Sequence, residues 1–402
     1  MRGVTAPAGF VAAGGPVGIK PGGEPDLAVV ATADGRPVAA AGVFTDNRAA
    51  AAAVSVSRSH LAATGGRAAG VVLTSGNANA ATGAPGEAAV LSLCRLVAAG
   101  IGSAPEEVLA GQTGLIGVPF PIETVEPRVA GVVDLRAGGE AAGAAAANAI
   151  MTTDTVRKEA VATGRTGAVT GRAGAGRPFT VGGMAKGAAM LAPRMATMLA
   201  VLTTDAGADP QVLAEVLAGA VGPSFNAMTV DGSTSTNDTV LLLAGGAAGP
   251  VGRSELEAAV GEVCASLAAQ MVADAEGATK VVHVVVTGAR SDGEAHRAAR
   301  KVAGSLLVKC SVNGEDPYWG RVVSELGSAG VDFEMDRVTV RYGGTAVCVG
   351  GVAAGHDEAA VAAHMGGRHV EIGCELGLAD GTGAVTTTDL GHGYLDLNRT
   401  TS

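Results

Sequence analysis

Short runs rich in Val and Ala, each closed by Gly, Pro or Asn, alternate along this chain with longer helical patterns. That alternation limits the fold to sheets covered by helices. In the first third the runs DLAVVATA, PVAAAGVFT, AAVSVSR and AGVVLTSGN are expected as strands. GEAAVLSLCRLVAAGIG and GGEAAGAAAANAIM, lying among them, carry helical patterns. The segment from Val156 to Val181 reads as hairpins, and MLAVLTTDA as one strand. Helices are expected at DPQVLAEVLAGAVG, where Asp209 stands as N-cap before a proline, and at SELEAAVGEVCASLAAQMVADAE.

From about residue 281 the alternation sharpens. KVVHVVVTGA, DGEAHRAARKVAGS, LLVKCSVNG and DPYWGRVVSELGSAG read as strand, helix, strand, helix. The expected class is therefore α/β or α+β. A main domain over 1–280 precedes a smaller α/β domain over 281–402.

Composition narrows the partners. Apolar residues make up 48% of the chain and aromatics only 2%, so the core must be built from Ala, Val and Leu at close range. The formal net charge is −10, and no cluster of base-stacking aromatics occurs, which argues against nucleic acid. Cys94, Cys264, Cys310, Cys348 and Cys374 are odd in number and contain no CxxC, so a reducing, cytoplasmic setting is expected rather than a disulfide framework. The uncharged segment from Gly3 to Ile19 carries Pro7 and Pro16 and does not read as a signal peptide. No run is expected to reach the roughly 20 residues that span a bilayer. His356, His364 and His369 lie near Asp357 and Glu358 but lack a metal-site spacing. GGMAKGAA is not a P-loop, and no GxSxG elbow is present.

One stretch stands apart. KGAAMLAPRMATMLAVLTTDA, from Lys186 to Ala206, surrounds a single hydroxyl, Thr197, with small residues. Its first part, KGAAMLAPRMATMLA, resembles the signature of the glutamate N-acetyltransferase / ornithine acetyltransferase family of arginine biosynthesis. The resemblance runs in order along nearly the whole chain, through GFVAAGGPVGIKPGGEPDLAVV, AAAGVFTDNRAAAA, SGNANAATG, QTGLIG, AIMTTDT, SFNAMTVDGSTSTNDTV, NGEDPYWGRV and the terminal LNRTTS.

The resemblance implies a self-cleaving, N-terminal-nucleophile-like layered sandwich. The cut would fall between Ala196 and Thr197, leaving an α chain, 1–196, and a β chain, 197–402. Pro193 fixes its own φ and keeps Ala192 out of the helical region before that bond. The freed α-amine of Thr197, with a pKa of roughly 7.7–8, can take the proton of its own hydroxyl, so no histidine is needed. The resemblance also implies that Thr113 and Gly114 hold the oxyanion. Gln112 departs from it, standing where many relatives carry a small hydroxyl residue. Substrate contacts carried over by match are Thr152 or Thr153 (Thr153 preferred), Lys186, Thr197, Glu276, Asn398 and Ser402. Asn77, Asn79, Asp231, Asn237, Asp316, Trp319 and Arg321 are assigned to site support.

The implied reaction moves acetyl from N2-acetyl-L-ornithine to L-glutamate, releasing ornithine, without cofactor or metal. Acetyl-CoA is left open as a second donor. A heterotetramer of two α and two β chains is the implied assembly. Two other readings stay open: an aminopeptidase or amidase of the same fold, and a non-catalytic binding protein.

Overall fold

The computed structural model describes residues 3–165, 176–191 and 198–399. Three sheets organise it. The first has four strands in the order Phe10–Gly15, Leu27–Thr32, Gly70–Asn77 and Val108–Leu115. The second has six, ordered Arg67–Ala68, Val38–Phe44, Thr239–Pro250, Leu199–Gly207, Pro178–Lys186 and Lys158–Arg165. Leu199–Gly207 thus lies inside its sheet, parallel to Thr239–Pro250 and antiparallel to Pro178–Lys186.

Period-two side-chain alternation stacks these two sheets. Along Leu199–Gly207, Leu199 and Val201 face the first sheet, where they pack with Val30, Val71, Leu73 and Leu109. Ala200 and Leu202 face the other way, against Leu213, Leu217, Val260 and Leu267 of the helices Pro210–Val221 and Arg253–Ala273. The first sheet is covered on its outer side by Ala52–Ala63, Gly83–Ile101 and Ile122–Asp134. The result is four layers: helix, sheet, sheet, helix. Each fully buried Val or Leu in these seams contributes roughly 1.5–3 kcal/mol relative to exposure.

Two strand expectations fail here for physical reasons. AAVSVSR is not a strand but the start of helix Ala52–Ala63. Its buried residues Ala53, Val56, Ser57 and His60 recur at helical spacing. That helix covers the edge strand Val108–Leu115. Ser57 Oγ donates to Ala110 O at 2.8 Å and accepts from Ala110 N at 2.8 Å, while His60 Nδ1 lies 2.8 Å from Val108 O. Open edge groups that strand pairing would have used are met by side chains instead. LLVKCSVNG is likewise a helix, Leu306–Asn313, because Ser305 Oγ accepts the Val308 N–H at 3.4 Å and starts it. Asp209 occupies the N-cap position with extended backbone but makes no side-chain cap bond. The bilayer expectation also needs correction. Gly83–Ile101 and Arg253–Ala273 are both long and apolar enough to cross a membrane, and each has half of its apolar window buried inside the fold.

The third sheet, ordered Val352–Ala353, Thr345–Val349, Thr339–Tyr342, His369–Glu375, Val281–Ala289 and Gly381–Thr388, has its own core with the helices Asp292–Ala303, Leu306–Asn313, Trp319–Gly327 and Glu358–Met365. Asp357 caps the last of these by accepting Ala360 N–H, and His364 Nε2 accepts Glu371 N–H at 2.8 Å. The unit docks through a main-chain bond from Thr229 N to Thr386 O at 2.9 Å and through the Lys309 side chain, whose Nζ donates to Val230 O at 2.6 Å. Its final helix, His392–Leu397, returns to the first two sheets and delivers Asn398 to their seam.

Candidate active site

A cleft of about 440 Å³ opens where the ends of the first two sheets meet the returning C-terminal helix. Thr113, Gly114, Thr152, Thr153, Lys186, Glu276 and Asn398 all line it. The structure brings these sequence-derived positions to one place from strands, loops and a helix end far apart in the chain. Both threonines of the Thr152/Thr153 pair reach the cleft. Ala196, Thr197 and Ser402 lie outside the described residues. Leu115, Ile116, Ala189, Met190, Leu397 and Arg399 complete the wall, and none of them was singled out from sequence. A larger groove of about 630 Å³ opens elsewhere beside Leu306 and Leu307, where Lys301 pairs with Glu325 at 3.2 Å and Arg297 with Glu294 at 3.8 Å.

Thr113 and Gly114 sit at the end of the edge strand Val108–Leu115. Here the ladder to Gly70–Asn77 is irregular, and Asn77 faces both Thr113 and Leu115. Gly114 has φ +132°, and a Cβ there would stand 2.3 Å from the Gly76 carbonyl carbon and 2.5 Å from Asn77 N. Only glycine fits, and it lines the cleft. Gln112, the departure from the family pattern, is fully accommodated. Its Nε2 donates to Thr74 Oγ1 at 3.2 Å, its Oε1 accepts from Asn79 Nδ2 at 2.9 Å, and its main-chain oxygen accepts from Asn237 Nδ2 at 2.8 Å.

A buried charge cluster stands behind the Thr113–Gly114 corner. Lys186, 3% exposed, places Nζ 3.5 Å from Thr113 Oγ1 and 3.9 Å from Asp154 Oδ2. Asp154 also accepts from Lys158 Nζ at 2.6 Å, from Gly187 N at 2.7 Å and from Thr152 N at 3.1 Å. Lys158, with no exposed surface, is held on its other side by Asp274 at 2.6 Å. Burial lowers the pKa of Lys186, and the Lys158 charge adds to this; Asp154, Glu276 and Asp238 oppose it. Asp154, Lys158 and Asp274 were missed by sequence reasoning. The signal existed in MTTDT and in the scarcity of lysine, but a buried lysine cannot be told from a surface one without the fold.

The opposite wall is acidic. Glu276 N donates to Ala188 O at 2.9 Å, and Glu276 Oε2 accepts from Asn398 Nδ2 at 2.8 Å. The neighbouring Gly277 has φ +64°, and a Cβ there would stand 2.2 Å from Tyr394 N, so the C-terminal helix seats directly on it. Tyr394 OH reaches Asp231 Oδ2 at 3.4 Å, and the same oxygen accepts the Met190 N–H. One carboxylate thereby ties the loop after Lys186 to the helix that carries Asn398. Burial raises the Asp231 pKa against the hydrogen bonds that hold its charged form.

The four layers define an α/β layered sandwich with a cleft where a threonine–glycine corner faces a buried lysine. The sequence comparisons then narrow the class. The model of the ArgJ family matches residues 11–400. The Arginine biosynthesis bifunctional protein ArgJ of Mycobacterium bovis is 45% identical over 99% of this chain and 96% of its own length. The protein of the same name from Gloeobacter violaceus is 41% identical over 98% and 97%. The solved ornithine acetyltransferase of Mycobacterium tuberculosis in complex with ornithine shares 38% identity, covers 49% of this chain and 96% of its own, and has a TM-score of 0.41. This chain belongs to the ArgJ family.

Proposed function

We infer that this protein is an acetyltransferase that moves the acetyl group of N2-acetyl-L-ornithine to L-glutamate in two steps, through an acetyl ester on Thr197. The observation that carries the reading is one cleft with a threonine–glycine corner, a buried cation and an acidic wall, in a chain of the ArgJ family. The family match over nearly the whole chain disfavours the aminopeptidase reading.

The chemistry follows from the groups present. The chain first cuts itself between Ala196 and Thr197, giving chains 1–196 and 197–402 that stay associated and pair into a heterotetramer. The new α-amine accepts the Thr197 hydroxyl proton, and Oγ attacks the acetyl carbonyl. Thr113 and Gly114 stabilise the oxyanion, with the Lys186 charge beside them. Lys186 receives the substrate carboxylate, while Glu276 and Asn398 receive the δ-ammonium of ornithine. The α-amine returns its proton to the leaving nitrogen, and ornithine departs. Glutamate then attacks the ester, and the same groups run in reverse. Acetyl passes between like amides, so the exchange is near thermoneutral, and the enzyme must exclude water from the ester. No cofactor enters these steps; acetyl-CoA stays open as a second donor, and the cytoplasm is the setting in this reading.

The direct test compares ornithine release from N2-acetyl-ornithine with and without glutamate. Release that depends on glutamate supports the transferase; equal release in water identifies a hydrolase. Glu276→Ala is expected to self-cut normally, yet raise KM for N2-acetyl-ornithine and lower kcat/KM by about tenfold or more, because a charge-assisted contact is lost. Wild-type kinetics in that variant would remove Glu276 from the substrate site.

A further inference from the structure

The turn Ser235–Thr239 lies behind the cleft and supplies none of its wall, yet two consecutive side chains in it reach the two strands on which the reaction depends. Asn237, 2% exposed, donates from Nδ2 to Gln112 O at 2.8 Å and to Ala78 O at 2.6 Å. Asp238, with no exposed surface, accepts the Met198 N–H on Oδ1 at 3.1 Å. Thr239 N adds a bond to Met198 O at 3.1 Å, so both main-chain groups of Met198 are held by this one turn. The turn is itself pinned: Thr45 Oγ1 donates to Ser235 O at 2.8 Å, Thr45 N to Asp238 O at 3.0 Å and Ala51 N to Thr236 O at 2.8 Å.

Peptide planarity gives these bonds their meaning. Gln112 O and Thr113 N belong to one rigid plane, and Met198 N shares another with the carbonyl carbon of Thr197. Fixing Gln112 O therefore fixes the direction of the Thr113 amide, and holding both main-chain groups of Met198 fixes the residue that follows Thr197 in the chain. A carboxylic side chain is an expensive way to accept one N–H. Burial drives the Asp238 pKa well above the usual carboxylate range against the Met198 N–H, the Ser235 and Thr45 hydroxyls and the Lys186 charge, and Oδ2 has no hydrogen-bond partner among the described residues.

Resting on the acetyl-transfer reading, we propose that Asn237 and Asp238 are positioning residues that hold the Gln112–Thr113 peptide and Met198, the residue next to the nucleophile in the chain, in a single register. Neither residue touches substrate. Their effect falls on the transition state, where a misplacement of about 1 Å costs on the order of a hundredfold in rate.

The test uses the full chain, with activity scored per cut chain, and compares Asn237→Ala, Asp238→Ala and Asp238→Asn by steady-state kinetics and thermal melting. Asn237→Ala and Asp238→Ala are expected to lower kcat by about tenfold to a hundredfold while KM for N2-acetyl-ornithine moves less than about threefold. Asp238→Asn keeps an oxygen acceptor for Met198 N–H and is expected to restore kcat to within about threefold of wild type. If Asn237→Ala does not fold, Asn237→Ser takes its place with the same expected split. If Asp238→Ala does not fold, the Asp238→Asn rate is judged against wild type alone. Wild-type kcat in the Asn237 variant, a KM rise that matches the kcat loss, or an Asp238→Asn loss of tenfold or more would each overturn the proposal. A wild-type protein that transfers no acetyl would instead overturn the acetyl-transfer reading, so the two failures are distinguishable.

Discussion

Gly114→Ala is expected to lower kcat by about 10²–10³-fold, the size seen when one oxyanion donor is removed. The added methyl would meet the Gly76 carbonyl carbon at 2.3 Å, and at φ +132° an L side chain is strained whatever space surrounds it. The backbone must move, and the Gly114 amide moves with it. The lysine and glutamate walls are carried by other elements, so KM should change far less than kcat. Steady-state kinetics with N2-acetyl-ornithine, beside a melting curve showing a folded protein, checks this. A variant that is folded and turns over like wild type would remove Gly114 from the oxyanion site.

Asp154→Asn is expected to cost stability as well as activity. Burial alone would raise the Asp154 pKa, but the charges of Lys186 and Lys158 and hydrogen bonds from Lys158 and Gly187 prevail and hold it at about 2. A carboxyl depressed in the folded state stabilises it above the unfolded pKa of roughly 3.9, and that contribution is lost as pH falls from about 4 through 2. Removing the charge leaves Lys186 without its nearest carboxylate and Lys158 with Asp274 alone. Breaking a buried pair typically costs about 3–5 kcal/mol. Urea unfolding at neutral pH should show a loss of that order. The variant should also lose the part of the wild-type acid sensitivity that lies between about pH 4 and 2. Unchanged stability at neutral pH would mean that the cluster is not held by this carboxylate.

Much of the molecule was legible in the sequence, and the reasons differ by element. DLAVVATA, AGVVLTSGN and MLAVLTTDA are β-rich runs bounded by turn residues, and each became a strand. AAVSVSR has the same β-branched look, but its core-facing set includes Ser57 and His60, which bond to a neighbouring edge strand that sequence spacing cannot display. LLVKCSVNG turned on one serine hydroxyl at its start. In the site, ordered family-like motifs gave Thr113, Gly114, Lys186, Glu276 and Asn398, which converge on one cleft. The supports behind them, Asp154 with Lys158 and Asn237 with Asp238, act through burial and long-range hydrogen bonds. Asn237 was assigned to site support from its motif, but the burial and the partners of all four are consequences of packing that residue order does not display.

Intact mass spectrometry of the purified protein, alone and after brief exposure to N2-acetyl-ornithine, addresses the central claim. The account expects two chains separated between Ala196 and Thr197, with residues 197–402 becoming one acetyl group heavier, and Thr197→Ala remaining a single inactive chain. An active protein that is unbroken at that bond, or one whose acetyl group resides on another residue, would contradict it.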